Sequence, residues 1–317
     1  MDALSDLLRV VKLTGGVFLD AEFTAPWCVT SQVGPEDFHP AQSAPAHIIA
    51  FHYVVAGELQ VKVDDDPPLA VRSGEIVMLP RNDAHRLGSA VDLPAVSGDQ
   101  LVPTHREGEL AQIRYGGGGE PTHIICGYLG SEARHNPLVD TLPKMLNLAV
   151  REGPAGEWVE SSFRYAAREV AAGHAGSETV LAKLSELLFV QAVRRYVETL
   201  PPERKGWLAG LRDPAVGRAL ALIHGRLAHP WTAEELASEV FLSRSAFADR
   251  FTSLIGMPPM RYLAMWRMQV AAQRLREGHR SVAQVAFDVG YESEAAFNRA
   301  FKREFGTGPG AWRKGGA

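Results

Sequence analysis

The chain has 317 residues, 46% of them hydrophobic and 22% charged, with two cysteines and a formal net charge of -4, which is ordinary globular material and enough for two domains. It contains no uninterrupted apolar run of about 18 residues, and Asp2 and Asp6 precede the first cationic residue, so neither a transmembrane span nor a secretory signal is expected. With too few cysteines for a disulfide framework, the chain reads as a cytoplasmic protein without a membrane partner.

In chain order, Met1 to Val11 is expected to form a short amphipathic helix, with Leu4, Leu7, Leu8 and Val11 on one side. From Gly15 to about Gly130 short apolar runs such as Ile48-Ile49-Ala50-Phe51, Leu59-Gln60-Val61-Lys62-Val63 and Ile76-Val77-Met78-Leu79 alternate with turn clusters such as Asp64-Asp65-Asp66-Pro67-Pro68. That texture predicts a barrel or sandwich of many short strands. Gly116-Gly117-Gly118-Gly119 is expected to be a hairpin tip, since it lacks the lysine and the helix start of a phosphate loop. His123 to Gly127 is expected to be a closing strand. From Glu157 to Leu200 the period becomes helical, with one helix over Trp158–Ala172 and another over Glu178–Leu200. The second has an apolar face of Leu181, Leu184, Leu187, Leu188, Val193, Tyr196 and Val197, read either as core packing or as a homodimer interface. Pro201 to Gly206 is the candidate linker.

Beyond the linker, one pattern occurs twice. Ser281 to Trp312 places a capped helix (Val282, Val285, Ala286, Val289), a turn at Gly290, a second cap at Ser293, and a helix with Phe297, Ala300, Phe301 and Phe305 on its apolar side. Trp231 to Pro259 repeats it. An offset of about 50 residues relates Ser243 to Ser293, Phe247 to Phe297, Phe251 to Phe301, Gly256 to Gly306 and Pro259 to Pro309, and upstream of the turn the offset is one residue shorter. Repetition at a fixed offset means one supersecondary unit used twice, and two short helices joined by a tight turn are the build of a helix-turn-helix. Charge agrees. Residues 206–317 hold 15 Lys and Arg against 10 Asp and Glu, a balance of +5, whereas residues 1–205 hold 18 against 27, a balance of -9. A basic nucleic-acid module is thereby joined to an acidic module of another kind.

These runs, S-x-S-x-F-x-x-x-F followed by Gly-x-x-Pro in the first copy and D-V-G-Y-E-S…F…R-A-F-K-R…F-G…P in the second, resemble the DNA-binding domain of AraC/XylS-type transcriptional regulators. The resemblance covers roughly residues 214–313. It implies two helix-turn-helix units joined by a long helix, each placing a recognition helix in the major groove of an operator. It also implies contact with RNA polymerase, since the family mostly activates transcription. Upstream, Gly74-Glu75-Ile76-Val77-Met78-Leu79-Pro80-Arg81-Asn82-Asp83-Ala84-His85 resembles the second cupin motif, with Asn82 at the usual glycine in a left-handed turn. Phe51 to Leu59 resembles the preceding cupin strand pair, but Ala50 stands where a metal-binding glutamate would. Cys126-Gly127 and Leu142-Pro143 resemble landmarks of the family's sensor domain. The expected fold is therefore α+β in two domains: an N-terminal cupin-like β-barrel followed by helices, and a C-terminal all-α double helix-turn-helix. Its expected divisions are a sensor over 1–135, a helical and dimerising segment over 136–200, a linker over 201–210, and the DNA-binding domain over 211–317.

Residues near the start of a helix lying in the major groove, and one turn later, face the bases. That assigns base contacts to Ser245, Ala248 and Asp249 in the first unit and to Ala295, Asn298 and Arg299 in the second. The resembled family makes its base contacts at the same positions. Arg299 suits guanine and Asn298 suits adenine; Asp249 either accepts from cytosine or orients Arg250. Arg244, Arg250, Lys302 and Arg303 are assigned to phosphates. In the sensor, His52 and His85 are candidates for binding a small-molecule effector, and with a third ligand for holding a divalent metal; His39, His47, His105 and His123 are further candidates. Cys28 and Cys126 are candidates for a redox trigger. No catalytic residue or required cofactor is expected. The alternatives are a redox-responsive regulator acting through the two cysteines, or a metal-binding cupin enzyme with a DNA-binding tail.

Overall fold

The computed structural model describes residues 13–34, 45–102, 111–131, 141–149, 176–201 and 204–314, together with isolated positions at 4, 5, 139, 161, 162 and 165. The helix expected over Met1–Val11 (Leu4 and Ser5 apart), that over Trp158–Ala172 (Ser161, Ser162 and Tyr165 apart), and His39 and His105 lie outside the described residues. The chain divides into two compact units, residues 13–199 and residues 200–317, the latter with residues 1–12.

The first unit is built from eleven described strands: β1 (Thr14–Thr24), β2 (Cys28–Ser31), β3 (His47–Ala56), β4 (Glu58–Val63), β5 (Leu69–Arg72), β6 (Glu75–Leu79), β7 (His85–Gly88), β8 (Val96–Ser97), β9 (Ala111–Gly116), β10 (Pro121–Ser131) and β11 (Leu146–Ala149). They form a six-stranded sheet in the order β11-β6-β3-β10-β1-β9 and a five-stranded sheet in the order β5-β4-β7-β2-β8. Alternation sets the faces: in β4, Leu59, Val61 and Val63 are buried while Gln60 and Lys62 are half-buried. The inward residues of both sheets, among them Leu19, Phe23, Val29, Val54, Val61, Val77, Leu87 and Ile124, make one shared core. Burying such side chains is worth roughly 1.5–3 kcal/mol each.

Asn82 takes the left-handed turn expected of it, at φ +53. Its side chain adds what the sequence did not show: it accepts from the Val33 amide at 3.1 Å and donates to the Val33 carbonyl at 2.8 Å, holding the end of β2 against the turn before β7.

The glycine run joins two strands that do not pair with each other, which corrects the hairpin expectation. β1 lies between them, antiparallel to β10 and parallel to β9. The run therefore wraps the end of β1: Gly117 N–H donates to Thr24 O, Gly118 N–H to Thr24 Oγ1 and Gly119 N–H to Ala25 O. A Cβ on Gly116 would stand within 1.9 Å of Thr24 O. Close backbone approach, rather than a two-strand turn, is what needs glycine here.

Helix α1 (Ser177–Thr199) packs on β1, β10 and β11 of its own unit, burying Leu188, Phe189, Ala192 and Val193. Core packing thus uses much of its apolar face, and Leu184, Leu187, Tyr196 and Val197 stay half-buried.

The second unit is all helical: α2 (Trp207–Arg212), α3 (Pro214–Gly225), α4 (Ala233–Glu239), α5 (Arg244–Ile255), α6 (Pro259–Arg276), α7 (Val282–Asp288), α8 (Glu294–Phe305) and α9 (Pro309–Arg313). Helix begins at Trp207, inside the stretch assigned to a linker, because Trp207 is buried and its Nε1–H donates to the Tyr262 hydroxyl at 2.7 Å.

Candidate functional site

The two helix-turn-helix units are α4–α5 and α7–α8, and α6 connects them. Each expected cap is in place: Ser243 accepts from Ala246 N–H, Ser293 from Ala296 N–H, and Ser281 and Gln284 form a reciprocal capping box. Gly256 and Gly306 end α5 and α8 in the left-handed conformation. Phe247, Phe251, Phe297 and Phe301 are fully buried, so the opposite faces of α5 and α8 are the ones turned to solvent.

On α8 that face carries exposed Ala295, Arg299, Lys302 and Arg303 and half-buried Asn298. Residues 295, 298, 299 and 302 follow the i, i+3, i+4, i+7 spacing of one helical stripe. Arg299 has no ion partner among the described residues and is available to a ligand. The Asn298 Oδ1 is buried without a donor, so a two-bond pairing with adenine requires this side chain to rotate outward. On α5, Arg244, Ser245 and Asp249 are exposed and Ala248 is half-buried.

Arg250 has a protein partner that the sequence did not reveal. Its Nε and Nη2 reach Asp213 Oδ2 at 2.8 and 2.6 Å, while Oδ1 of the same carboxylate caps α3. Burial works to raise the Asp213 pKa, but the Arg250 hydrogen bond, its charge and two backbone N–H donors outweigh it and the pKa is lowered. The guanidinium is therefore engaged by α3 and not by Asp249.

The turns differ in chemistry. Gly290 sits at φ +84, and the position 49 residues earlier is Phe241, at φ +59 and 84% exposed. A Cβ on Gly290 would meet Arg267 and the Ala228 carbonyl within 3 Å, so space as well as conformation selects glycine there. The half-buried Arg267, from α6, donates to Leu227 O at 3.0 Å, His229 O at 2.7 Å and Gly290 O at 3.2 Å. One side chain of the connecting helix thus ties the loop entering the first unit to the turn of the second. Nearby, His224 is stacked on Trp266 with ring centroids 4.2 Å apart and meets the Tyr262 hydroxyl at 2.7 Å, and burial lowers its pKa to about 3. Neither Arg267 nor His224 stood out in the sequence, since each acts through partners tens of residues away.

In the N-terminal unit, His52 and His85 do converge. Their Nε2 atoms are 2.7 Å apart, His52 Nδ1 is 2.9 Å from Cys126 Sγ, and His85 Nδ1 is 2.9 Å from the Asp83 carbonyl. The carbonyl can only accept, so His85 carries its proton on Nδ1. Its Nε2 then accepts from His52 Nε2–H, and His52 Nδ1 accepts from the Cys126 thiol. Every group in this chain is neutral. Burial, and for His52 the neighbouring His85, lowers the His52 pKa well below its usual value; burial lowers His85 to about 4, against the Asp83 hydrogen bond that raises it. Burial, with the Asp20 charge, pushes the Cys126 thiol up.

These donors do not suit a metal. The two Nε2 atoms bond each other, Cys126 is on the far nitrogen of His52, and no group of three His, Cys, Asp or Glu side chains converges among the described residues. Nor do they favour a redox trigger, because a reactive cysteine needs an exposed, stabilised thiolate and both Cys28 and Cys126 are buried. His47 bonds the Pro80 carbonyl, and His123 pairs with Asp20 at 2.5 Å, which raises its pKa. A cleft of about 660 Å³ opens beside His85.

Comparison with known proteins accords with both halves. A cupin family model matches residues 2–198 and a helix-turn-helix domain model matches residues 236–315. The chain is 32% identical to a putative AraC-like transcription regulator of Streptomyces antibioticus, over 99% of both chains. It is 29% identical to the HTH-type transcriptional regulator AlkR of Acinetobacter baylyi over 99% of both chains, and 28% identical to the RCS-specific HTH-type transcriptional activator RclR of Escherichia coli over 99% and 98%. Among solved structures it is similar to the DNA-binding domain of AdpA in complex with a target DNA, at 35% identity over 32% of this chain and 92% of that one, with a TM-score of 0.31. A cupin-like sheet domain followed by a paired helix-turn-helix defines a class of DNA-binding transcription regulators. The chain belongs to the AraC-type family of that class.

Proposed function

We infer that the protein is an effector-responsive regulator whose two recognition helices read successive major-groove segments of an operator. The observation that carries this is the exposed Arg299, without an ion partner among the described residues, on a helix whose other face is locked by Phe297 and Phe301. Ser245, Ala248 and Asp249 of α5, with Ala295, Asn298 and Arg299 of α8, are the base-facing set. Arg244, Lys302 and Arg303 serve phosphates, and Arg250 does so only by leaving Asp213. The N-terminal domain senses a small molecule, and binding there shifts how the DNA-binding units are presented.

The protein works in the cytoplasm as a homodimer and contacts RNA polymerase. The half-buried Leu184, Leu187, Tyr196 and Val197 left on α1 support the dimer, and no described helix is long and apolar enough to cross a membrane. With full-length relatives named as regulators, a non-enzymatic role is the reading favoured.

Arg299→Ala tests the assignment. On a cognate site it is expected to cost about 1–3 kcal/mol and to relax one base position, whereas Lys302→Ala weakens all sequences alike and lowers the salt slope by about 1. Equal losses on cognate and random DNA for both variants would sink it.

A further inference from the structure

We propose that the cleft on the outer face of the five-stranded sheet binds a small hydroxylated organic acid through Lys62 and Arg86. The register builds the site: Lys62 lies opposite Arg86 on β4 and β7, Arg86 opposite Thr30 on β2, and Thr30 opposite Ser97 on β8. Their sequence neighbours Val61, Leu87 and Val29 point the other way, into the core. One row across four strands therefore presents two cations and two hydroxyls, and all four residues line the cleft of about 660 Å³. That volume lies within the range of about 300–1,000 Å³ typical of small-molecule sites.

Charge decides the ligand class. Of the two carboxylates in the lining, Asp64 is held by Lys144 at 3.0 Å, and Asp99, which accepts from the Ser97 hydroxyl at 3.2 Å, is left as one negative charge against the two cations. Lys62 has no ion partner among the described residues. Arg86 is anchored through Nη2 to the Leu93 carbonyl, while its Nε is buried with no acceptor. An unsatisfied buried donor is unfavourable, and a guanidinium held at one end beside a lysine presents a fork and a point charge to an oxyanion. The hydroxyls of Thr30 and Ser97 suit hydroxyl groups on the remainder of the ligand. His85, the end of the buried His85–His52–Cys126 chain, also borders the cleft.

The biological role of this site rests on the effector-sensing reading, but binding is measured without DNA. Full-length protein is titrated by calorimetry at pH 7 with gluconate, glucose 6-phosphate, inorganic phosphate and glucose. Saturable binding of gluconate or glucose 6-phosphate is expected, the tighter of the two telling a carboxylate from a phosphate headgroup, and neutral glucose is expected not to bind. Lys62→Ala and Arg86→Ala should each weaken binding at least tenfold, and Lys183→Ala on α1 should leave it unchanged. Lys62→Gln, with its fold checked by circular dichroism, covers the case in which loss of Arg86 unfolds the sheet. No saturable binding of either acid, undiminished binding in a folded Lys62 variant, or inorganic phosphate binding as tightly as both would overturn the proposal. Binding that leaves operator affinity unchanged would overturn the effector reading and spare the site.

Discussion

Phe241 holds a left-handed backbone conformation at φ +59 in the first turn, where the second turn has Gly290. A bulky residue there is strained by roughly 1–3 kcal/mol, and the exposed ring lies under the Arg218 guanidinium, 5.4 Å away. Phe241→Gly is expected to raise stability by about 1 kcal/mol, net of the greater entropy glycine loses on folding; a urea midpoint unchanged or lowered would contradict this. The buried histidines give a second prediction at this scale. His52 and His85 have folded pKa values below 6.5, that of His85 at about 4. Below pH 6.5 the unfolded chain takes up protons that the folded one refuses, so stability falls from pH 6.5 toward 4 and is level in this respect above it. The slope is at most about 1.4 kcal/mol per pH unit for each proton. His85→Gln should reduce the loss of urea midpoint between pH 7 and pH 5, and an identical loss would refute the neutral chain.

At the scale of elements, the repeat was legible because helix-turn-helix chemistry is local: serine caps, a glycine or its substitute in the turn, and phenylalanines four apart. Local rules also placed Asn82 correctly. They failed for the glycine run, because its neighbour, β1, is about a hundred residues away in sequence, and alternation says nothing about which strand lies alongside. They also could not show Arg267, whose acceptors are 23 to 40 residues distant. Arg267→Met would leave three carbonyls without their donor and is expected to cost about 2 kcal/mol or more. Because it links both units, the variant should lose more affinity on a two-block operator than on a single block; equal losses would make Arg267 a local support alone.

At the scale of the molecule, the division of charge between a negative N-terminal part and a positive C-terminal part separated a nucleic-acid module from a module of another kind. Family resemblance then supplied the cupin-like character of the N-terminal part. The interior of the N-terminal unit was less legible: His52 and His85 could be singled out as a pair and Cys126 by itself, but the bond of His52 to Cys126, 74 residues on, and the order of the chain His85–His52–Cys126 exist only once three strands take their register. The central claim is that two recognition helices engage DNA together. Selection of bound sequences from random duplex DNA with the full-length protein, followed by a salt titration on the winner, tests it most directly. The account predicts a motif of two blocks about one helical turn apart and a steep loss of affinity with salt. A single block, or enrichment with a flat salt response, would contradict it.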